Sequence, residues 1–157
     1  MINLRTGHLE LNTIVAITLV ELKMYNEAEY DAFVHRIETE YPKMFSEPYG
    51  GFAISEGWWL IIERLCANIQ HHLKWKNKES EVVPQVVVHQ IKEKFGGLRF
   101  YYGGGDDEIS GMVRMAESWA VNACEECGGI ASRRSGGWIR TLCDKHEAEH
   151  QARRNNE

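Results

Sequence analysis

The stretch CEECGGIASRRSGGWIRTLCDKH, residues 124–146, decides how this chain folds, because it holds three of the four cysteines and a histidine at a regular spacing. Cys124 and Cys127 form a C-x2-C pair. Fifteen residues separate it from a C-x2-H pair formed by Cys143 and His146. Two such pairs of thiolate and imidazole ligands are typical of tetrahedral zinc sites. The spacing therefore predicts a zinc ion bound by these four side chains.

The predicted zinc is structural rather than catalytic. Four protein ligands fill a tetrahedral coordination sphere and leave no position for a reacting water. His150 lies one helical turn beyond His146 and is the alternative fourth ligand. Turn residues 135–137 lie between the two pairs, and a charged helical segment follows the second pair. A knuckle, a hairpin and a helix in that order predict a treble-clef-like zinc finger over residues 124–157.

Three segments before the finger carry apolar residues at helical spacing. Asn26 is expected to cap the first, and Pro42 ends it. Ser55 begins the second, and Asp106 with Asp107 caps the third. The apolar faces of these helices are expected to pack in the core, with the aromatic residues Trp58, Trp59 and Trp119 among them.

A hairpin is predicted between the second and third helices. The β-branched run 86–91 and the aromatic run 98–102 flank Gly96 and Gly97, and both glycines are expected to supply positive φ angles for a tight turn. Side chains alternate between the two faces of a strand. One face is expected to carry Leu98, Phe100 and Tyr102, and the other Arg99 and Tyr101.

The order of these elements predicts an α+β fold, in which helices pack on a small antiparallel β-hairpin or sheet and a treble-clef-like zinc finger follows. We divide the chain into an α+β core domain, residues 1–123, and a zinc-finger domain, residues 124–157. The apolar run Thr13–Leu22 favours a strand, and a helix over Val15–Met24 is the competing interpretation. Trp138 is expected to pack over the knuckle and join the finger to the core.

Charge and hydropathy limit the classes of function. The chain has 18 basic and 23 acidic residues, and residues 1–60 hold 4 of the basic and 9 of the acidic ones. Nonspecific coating of nucleic acid needs a field of Lys and Arg, so this class is disfavoured, although local basic patches remain. No stretch has the ~18 apolar residues of a membrane span or the pattern of a signal peptide. We therefore expect a cytoplasmic protein without a membrane segment.

Residues 40–147 carry several motifs in order. They are GWW-x2-I-x2-L-C from residue 57, QIKEKFGGLRFYYGGG over 90–105, CEECG over 124–128 and SGGW-x2-TLCDKH over 135–146. In this combination the chain resembles a family of small proteins encoded in bacteriophage genomes and prophages. The resemblance implies an accessory phage protein in the cytoplasm of a bacterial host. Its expected action is to bind a host protein and inhibit a defence or nucleic-acid-handling system. Residues 1–25 lie outside the shared pattern and are a possible family-specific extension.

Binding of nucleic acid or a nucleotide signal is the alternative function. Cations and aromatic rings around a glycine turn hold phosphates and stack bases, and zinc-finger hairpins often contact nucleic acid. The competing interpretation is a solvated outer face without a ligand. The candidate binding residues are Lys92, Lys94, Arg99 and Tyr101 in the hairpin, and Arg133, Arg134 and Arg140 in the finger.

A small metal-dependent nuclease or hydrolase is the third hypothesis. It needs a second metal site or a general base, and the chain has no nucleophile elbow, Walker loop or dinucleotide fingerprint. The sequence therefore favours a non-enzymatic protein. We assign no catalytic residues. Asp106, Asp107 and Glu108 are a weak signal for a divalent cation, because they lack a regular ligand spacing. His71 and His72 with Glu63 suggest a base or a metal ligand, but no nucleophile or third ligand lies at an interpretable spacing, so surface histidines are the favoured interpretation.

Overall fold

The computed structural model describes residues 27–80 and 82–155. The predictions for Asn26 and for the run Thr13–Leu22 lie outside the described residues. The chain divides into two compact units, Met1–Arg36 and Ile37–Glu157. Helix α1, residues 27–40, ends before Pro42 as predicted.

The described elements after α1 are five strands, one 3-10 turn and three helices. In chain order they are β1 (Phe52–Ala53), a 3-10 turn (Glu56–Trp58), α2 (Trp59–Lys76), β2 (Val87–Lys94), β3 (Gly97–Gly103), α3 (Asp107–Ala120), β4 (Ser132–Arg134), β5 (Arg140–Leu142) and α4 (Asp144–Arg154). This content confirms the predicted α+β fold. The C-terminal elements β4, β5 and α4 form the hairpin and helix expected of the finger. The predicted domain boundary between residues 123 and 124 stays a prediction.

Strands β1, β2 and β3 form a mixed sheet. β2 and β3 make the predicted antiparallel hairpin, and β1 joins β2 in parallel with Phe52 opposite Ile91. Two glycines and a proline in residues 43–52 predict a loop, and the structure differs at Phe52, which begins β1. A two-residue strand is too short to show a period in the sequence. Ile91, Leu98 and Phe100 are buried on the inner face of the sheet, and α3 packs on β3 and on α2. The core therefore lies between the hairpin and these helices.

The hairpin turn is built differently from the prediction. Phe95 has a φ of 53° and Gly96 a φ of 70°, which is the pattern of a type I′ turn and matches the twist of the strands. The expectation is confirmed for Gly96 and wrong for Gly97, which begins β3. The space beside Gly97 has another use, since a β-carbon there would lie 3.1 Å from Nη1 of Arg99.

The start of α2 packs against the backbone of the first cysteine pair. The N–H of Gly57 donates to the carbonyl of Glu125 at 2.8 Å. The buried indole of Trp58 donates to the carbonyl of Ala123, also at 2.8 Å. A β-carbon on Gly57 would lie 2.1 Å from the carbonyl oxygen of Cys124, so only glycine permits this approach. The GWW motif therefore joins the helix to the finger.

Two tryptophans lie outside the core, against expectation. Trp119 is 65% exposed, because Ile109, Val113 and Ala120 already form the buried stripe of α3. Trp138 is 75% exposed and does not pack over the knuckle. It follows two glycines with positive φ, and the joint between finger and core is made by Gly57 and Trp58 instead. Trp58 itself is buried as predicted.

Within the described part of the chain, no helix combines the length and the apolar character needed to cross a bilayer.

We predict that Gly57→Ala lowers the free energy of unfolding by about 3 kcal/mol, because overpacking against a backbone carbonyl forces the α2 start away from the finger. Denaturant unfolding in metal-replete buffer measures this. The matched control is Gly111→Ala in α3, where the added β-carbon meets only the side chain of Arg114 at 3.9 Å. Since alanine is the better helix former, Gly111→Ala should stabilise by about 0.5–1 kcal/mol. Equal effects at the two positions would contradict the proposed close packing at Gly57.

Candidate metal centre and the surfaces beside it

The four predicted ligands converge. One donor atom from each of Cys124, Cys127, Cys143 and His146 lies within 4.8 Å of all the others. Nδ1 of His146 lies 3.3 Å from the sulfurs of Cys124 and Cys143. Three sulfur donors and one imidazole nitrogen at such spacing form a metal site of the Cys3His type. His150 is not a member of this cluster and lines a surface groove with Trp138 and other residues.

The first pair is positioned by a tight backbone turn. The N–H of Cys124 donates to the carbonyl of Gly129 at 2.7 Å, and the N–H of Gly128 donates to the carbonyl of Cys124 at 2.8 Å. Gly128 has a φ of 71°, in the left-handed region that favours glycine. The chain thus reverses within a few residues and brings the sulfurs of Cys124 and Cys127 to the same side.

The second pair lies at the start of α4. Cys143 is the N-cap residue of this helix, and His146 is in its first turn. Hydrogen bonding from the backbone N–H of His146, with a further contribution from that of Lys145, lowers the pKa of the Cys143 thiol. The thiolate is the form that binds metals, so the helix start prepares this ligand.

Cys66 has a different role from the other cysteines. All four are free of disulfides, but Cys66 is fully buried in α2, away from the cluster. Burial raises the pKa of its thiol to about 12. Cys66 is therefore an inert packing residue.

Thr141 links the finger to the tip of the hairpin. Its fully buried hydroxyl donates to the carbonyl of Gly96 at 2.6 Å. Its N–H donates to Oε1 of Glu125 at 2.6 Å, and its carbonyl accepts from the N–H of Glu125 at 2.9 Å. The turn of KEKFGG and the strand before Cys143 are thus held together by buried hydrogen bonds.

Two of the candidate binding arginines are engaged inside the finger. Arg140 donates to Glu125 at 3.1 Å and to Glu126 at 2.6 Å. Burial raises the pKa of the Glu125 carboxyl, although the Thr141 N–H and Arg140 act in the opposite direction. Arg134 donates to the carbonyl of Leu142 at 2.9 Å and to Asp144 at 2.7 Å. Arg134 and Arg140 therefore stabilise the finger, and binding by either stays a prediction.

The other candidate binding residues share one surface. The strand register puts Lys92, Lys94, Arg99 and Tyr101 on the outer face of the hairpin. Arg133, from β4, is exposed and reaches the same region beside Gly97. The structure thus brings five of the seven candidates together.

A second cluster joins α2 to α3. Nε2 of His72 lies 2.8 Å from Asp106, and Nδ1 of His72 lies 3.4 Å from Glu108. Lys76 pairs with the other oxygen of Glu108 at 2.8 Å, and Asp106 also caps α3 by accepting from Ile109. The hydrogen bond to His72, followed by that from the Ile109 N–H, lowers the pKa of the Asp106 carboxyl.

This second cluster links the two helices through the hydrogen bonds of His72 and the Lys76–Glu108 ion pair, and its donor and acceptor atoms already have protein partners. The sequence pattern predicted that Asp106 caps α3. It did not predict that Asp106 is also the partner of His72, because the two residues lie 34 positions apart. The suggested grouping of His72 with Glu63 on one helix face is not the grouping found in the cluster.

No protein-family model, no curated protein and no solved structure matches the chain. The fold and the site define its class as an α+β protein with a C-terminal Cys3His metal site.

We predict one bound metal ion per chain, lost in Cys143→Ser, because the remaining ligands no longer provide a thiolate at the helix start. Native mass spectrometry of the intact protein measures the stoichiometry. The control is Cys66→Ala, which removes a cysteine outside the cluster and should leave the metal bound. Loss of metal in Cys66→Ala, or full occupancy in Cys143→Ser, would contradict the assigned ligands.

Proposed function

We propose that the chain is a zinc-stabilised binding protein without catalytic activity, and that it docks a helix of a partner protein between α2 and α3. Three thiolates and one imidazole are the donors that zinc prefers in structural sites. Four protein ligands leave no coordination position for a substrate or a reacting water. These features support a metal that stabilises the finger and its joint with the core.

The observation that carries the docking proposal is an apolar groove between α2 and α3. Leu60, Met115 and Trp119 are all exposed at its rim, although residues of this kind are normally buried. The groove has a volume of about 460 Å³. Contiguous exposed apolar surface of this kind marks interaction sites, and tryptophan is enriched among residues that dominate binding energy. The groove is lined by Leu60, Ile61, Arg64, Leu65, Asn68, Met112, Met115, Ala116 and Trp119.

The proposed occupant is an amphipathic helix that carries a carboxylate. A groove between two helices suits a third helix, whose apolar face completes the packing. Arg64 is the single charged residue among the lining side chains, and it is exposed. None of the ion pairs among the described residues involves Arg64. An acidic residue on the partner helix would therefore complement it.

The likeness of the sequence motifs to phage-encoded proteins supports a host protein as the partner. Under this proposal the partner belongs to a bacterial defence or nucleic-acid-handling system, and docking of its helix in the groove inhibits it. Met112 and Met115 suit such a role, because methionine side chains adapt their shape to an incoming surface.

We predict that Trp119→Asp weakens partner binding by about 30-fold, since loss of a tryptophan that dominates binding energy costs about 2 kcal/mol or more. A photo-crosslinking amino acid at position 119, introduced in bacterial host cells, first identifies the partner. Isothermal titration calorimetry with the purified partner then compares the variants. Trp75→Asp is the matched control, because Trp75 is 66% exposed on α2 and does not line the groove. It should bind like the unmodified protein.

The charge of Arg64 provides a separate check. Arg64→Glu should weaken binding, and replacement of the partner's facing carboxylate by lysine should restore it. If Trp119 and Trp75 variants lose binding equally, or if position 119 crosslinks only to a second copy of this chain, the docking proposal is wrong.

A further inference from the structure

We infer that the outer face of the β2–β3 hairpin binds the phosphate group of a nucleic-acid strand or a nucleotide, with Lys92, Arg99 and Arg133 as the anion-binding side chains. This inference goes beyond the proposed partner binding and uses none of the groove residues. It rests on the strand register, on the space over Gly97 and on the shortage of neighbouring carboxylates.

The strand register places like charges opposite one another. Lys92 pairs directly with Arg99, and the next outer-face pair is Gln90 with Tyr101. Like charges at directly opposed positions destabilise a sheet, and an anion that lies between the two side chains would relieve this repulsion. Glu93, the acidic residue of these strands, alternates to the other face and accepts from the N–H of Gly96 at 2.6 Å. The outer face of the hairpin therefore has cations without a carboxylate of its own.

Gly97 leaves room for guanidinium groups from two different elements. A β-carbon at this position would lie 3.1 Å from Nη1 of Arg99 and 3.7 Å from Nη2 of Arg133. Arg99 comes from β3 and Arg133 from β4, so the docking of the finger on the hairpin tip brings them together. Guanidinium groups recognise phosphate oxygens through paired N–H donors.

The positive charge of this cluster is poorly neutralised. Glu117 is the nearest acid, with Oε2 at 3.9 Å from Nη1 of Arg99, and its other oxygen accepts from the N–H of Phe100. No ion pair among the described residues involves Lys92 or Arg133. The finger arginines 134 and 140 differ in this respect, because each of them pairs with carboxylates. Three cations beside one partly engaged carboxylate leave an excess of positive charge on the face.

An exposed aromatic ring beside the cations favours a nucleotide over a simple anion as the ligand. The ammonium of Lys92 lies 5.3 Å from the ring centroid of Tyr101, and Tyr101 is exposed. Surfaces that bind single strands combine cations for the backbone with aromatic rings for the bases. Tyr101 is therefore placed to contact the base whose phosphate lies on the cations.

The test uses the full chain with its metal and three probes. Fluorescence anisotropy follows a fluorescein-labelled single-stranded oligodeoxynucleotide, and NMR follows the arginine side-chain signals on addition of ATP or inorganic phosphate. Three phosphate contacts predict that the logarithm of the affinity for the oligonucleotide falls with the logarithm of salt concentration with a slope of about −2, from about 50 to 200 mM salt.

Arg133→Glu should weaken oligonucleotide binding about tenfold and reduce the slope by roughly 0.7, since one contact is lost. Lys74→Glu is the matched control, because it makes the same charge change at an exposed residue of α2, outside the cluster. Lys92→Glu provides a second variant if Arg133→Glu is unstable by circular dichroism.

Two outcomes would support the inference, and they differ in the molecule that carries the phosphate. Binding of the oligonucleotide with little response to ATP identifies a strand, and the reverse identifies a nucleotide. The inference is overturned if none of the three probes produces a response at about 50 mM salt. It is also overturned if Lys74→Glu weakens binding as much as Arg133→Glu and Lys92→Glu do. Neither outcome bears on the groove between α2 and α3.

Discussion

The close approach of Gly57 to the carbonyls of Cys124 and Glu125 is the constraint on which the rest of the structure depends. It fixes the start of α2 against the first cysteine pair, and the buried indole of Trp58 continues the contact to Ala123. A finger of about thirty residues is too short to be stable by apolar burial alone. The α+β core in turn is stabilised by packing against the finger as an additional layer. The metal centre and the α+β core therefore stabilise each other through this joint.

The same joint extends to the hairpin. The hydroxyl of Thr141 reaches the carbonyl of Gly96, and Glu125 receives the N–H of Thr141 and the guanidinium of Arg140. Because these hydrogen bonds are buried, leaving one of their groups unpaired would be costly. These contacts give a physical reason why the FGG motif of the hairpin and the W-x2-TLC motif of the finger occur together in the same chain. They also carry Arg133 to the outer face beside Arg99.

The tryptophan side chains differ widely in their solvent exposure. Trp58 is fully buried at the joint, whereas Trp119 and Trp138 are exposed. The finger is attached through Gly57 and the indole of Trp58, and Trp138 lines neither of the two proposed binding surfaces. These surfaces are the apolar groove between α2 and α3 and the cationic face of the hairpin. We propose a partner helix as the ligand of the groove and a phosphate as the ligand of the hairpin face.

The sequence predicted the elements that have a strong local signal. Cysteine pairs with fixed spacing, the cap at Asp106 and the alternating residues of β3 all depend on neighbours a few positions away, and the structure has the metal-ligand cluster, the cap and the hairpin. The contacts that failed prediction join distant residues. They include the parallel pairing of β1, the partner of His72 and the burial of individual tryptophans, which depend on tertiary packing rather than on local period.

The central claim is that finger and core form one cooperative structure, and hydrogen exchange before and after removal of the metal tests it most directly. If the claim holds, chelation deprotects the amides of residues 124–155 together with that of Gly57, which donates to the Glu125 carbonyl. It also deprotects the amides of Trp58 and Gly96, whose indole N–H and carbonyl form hydrogen bonds with Ala123 and Thr141. If exchange increases only within residues 124–155 while Gly57, Trp58 and Gly96 keep their protection, the finger is an independent appendage and the claim is wrong.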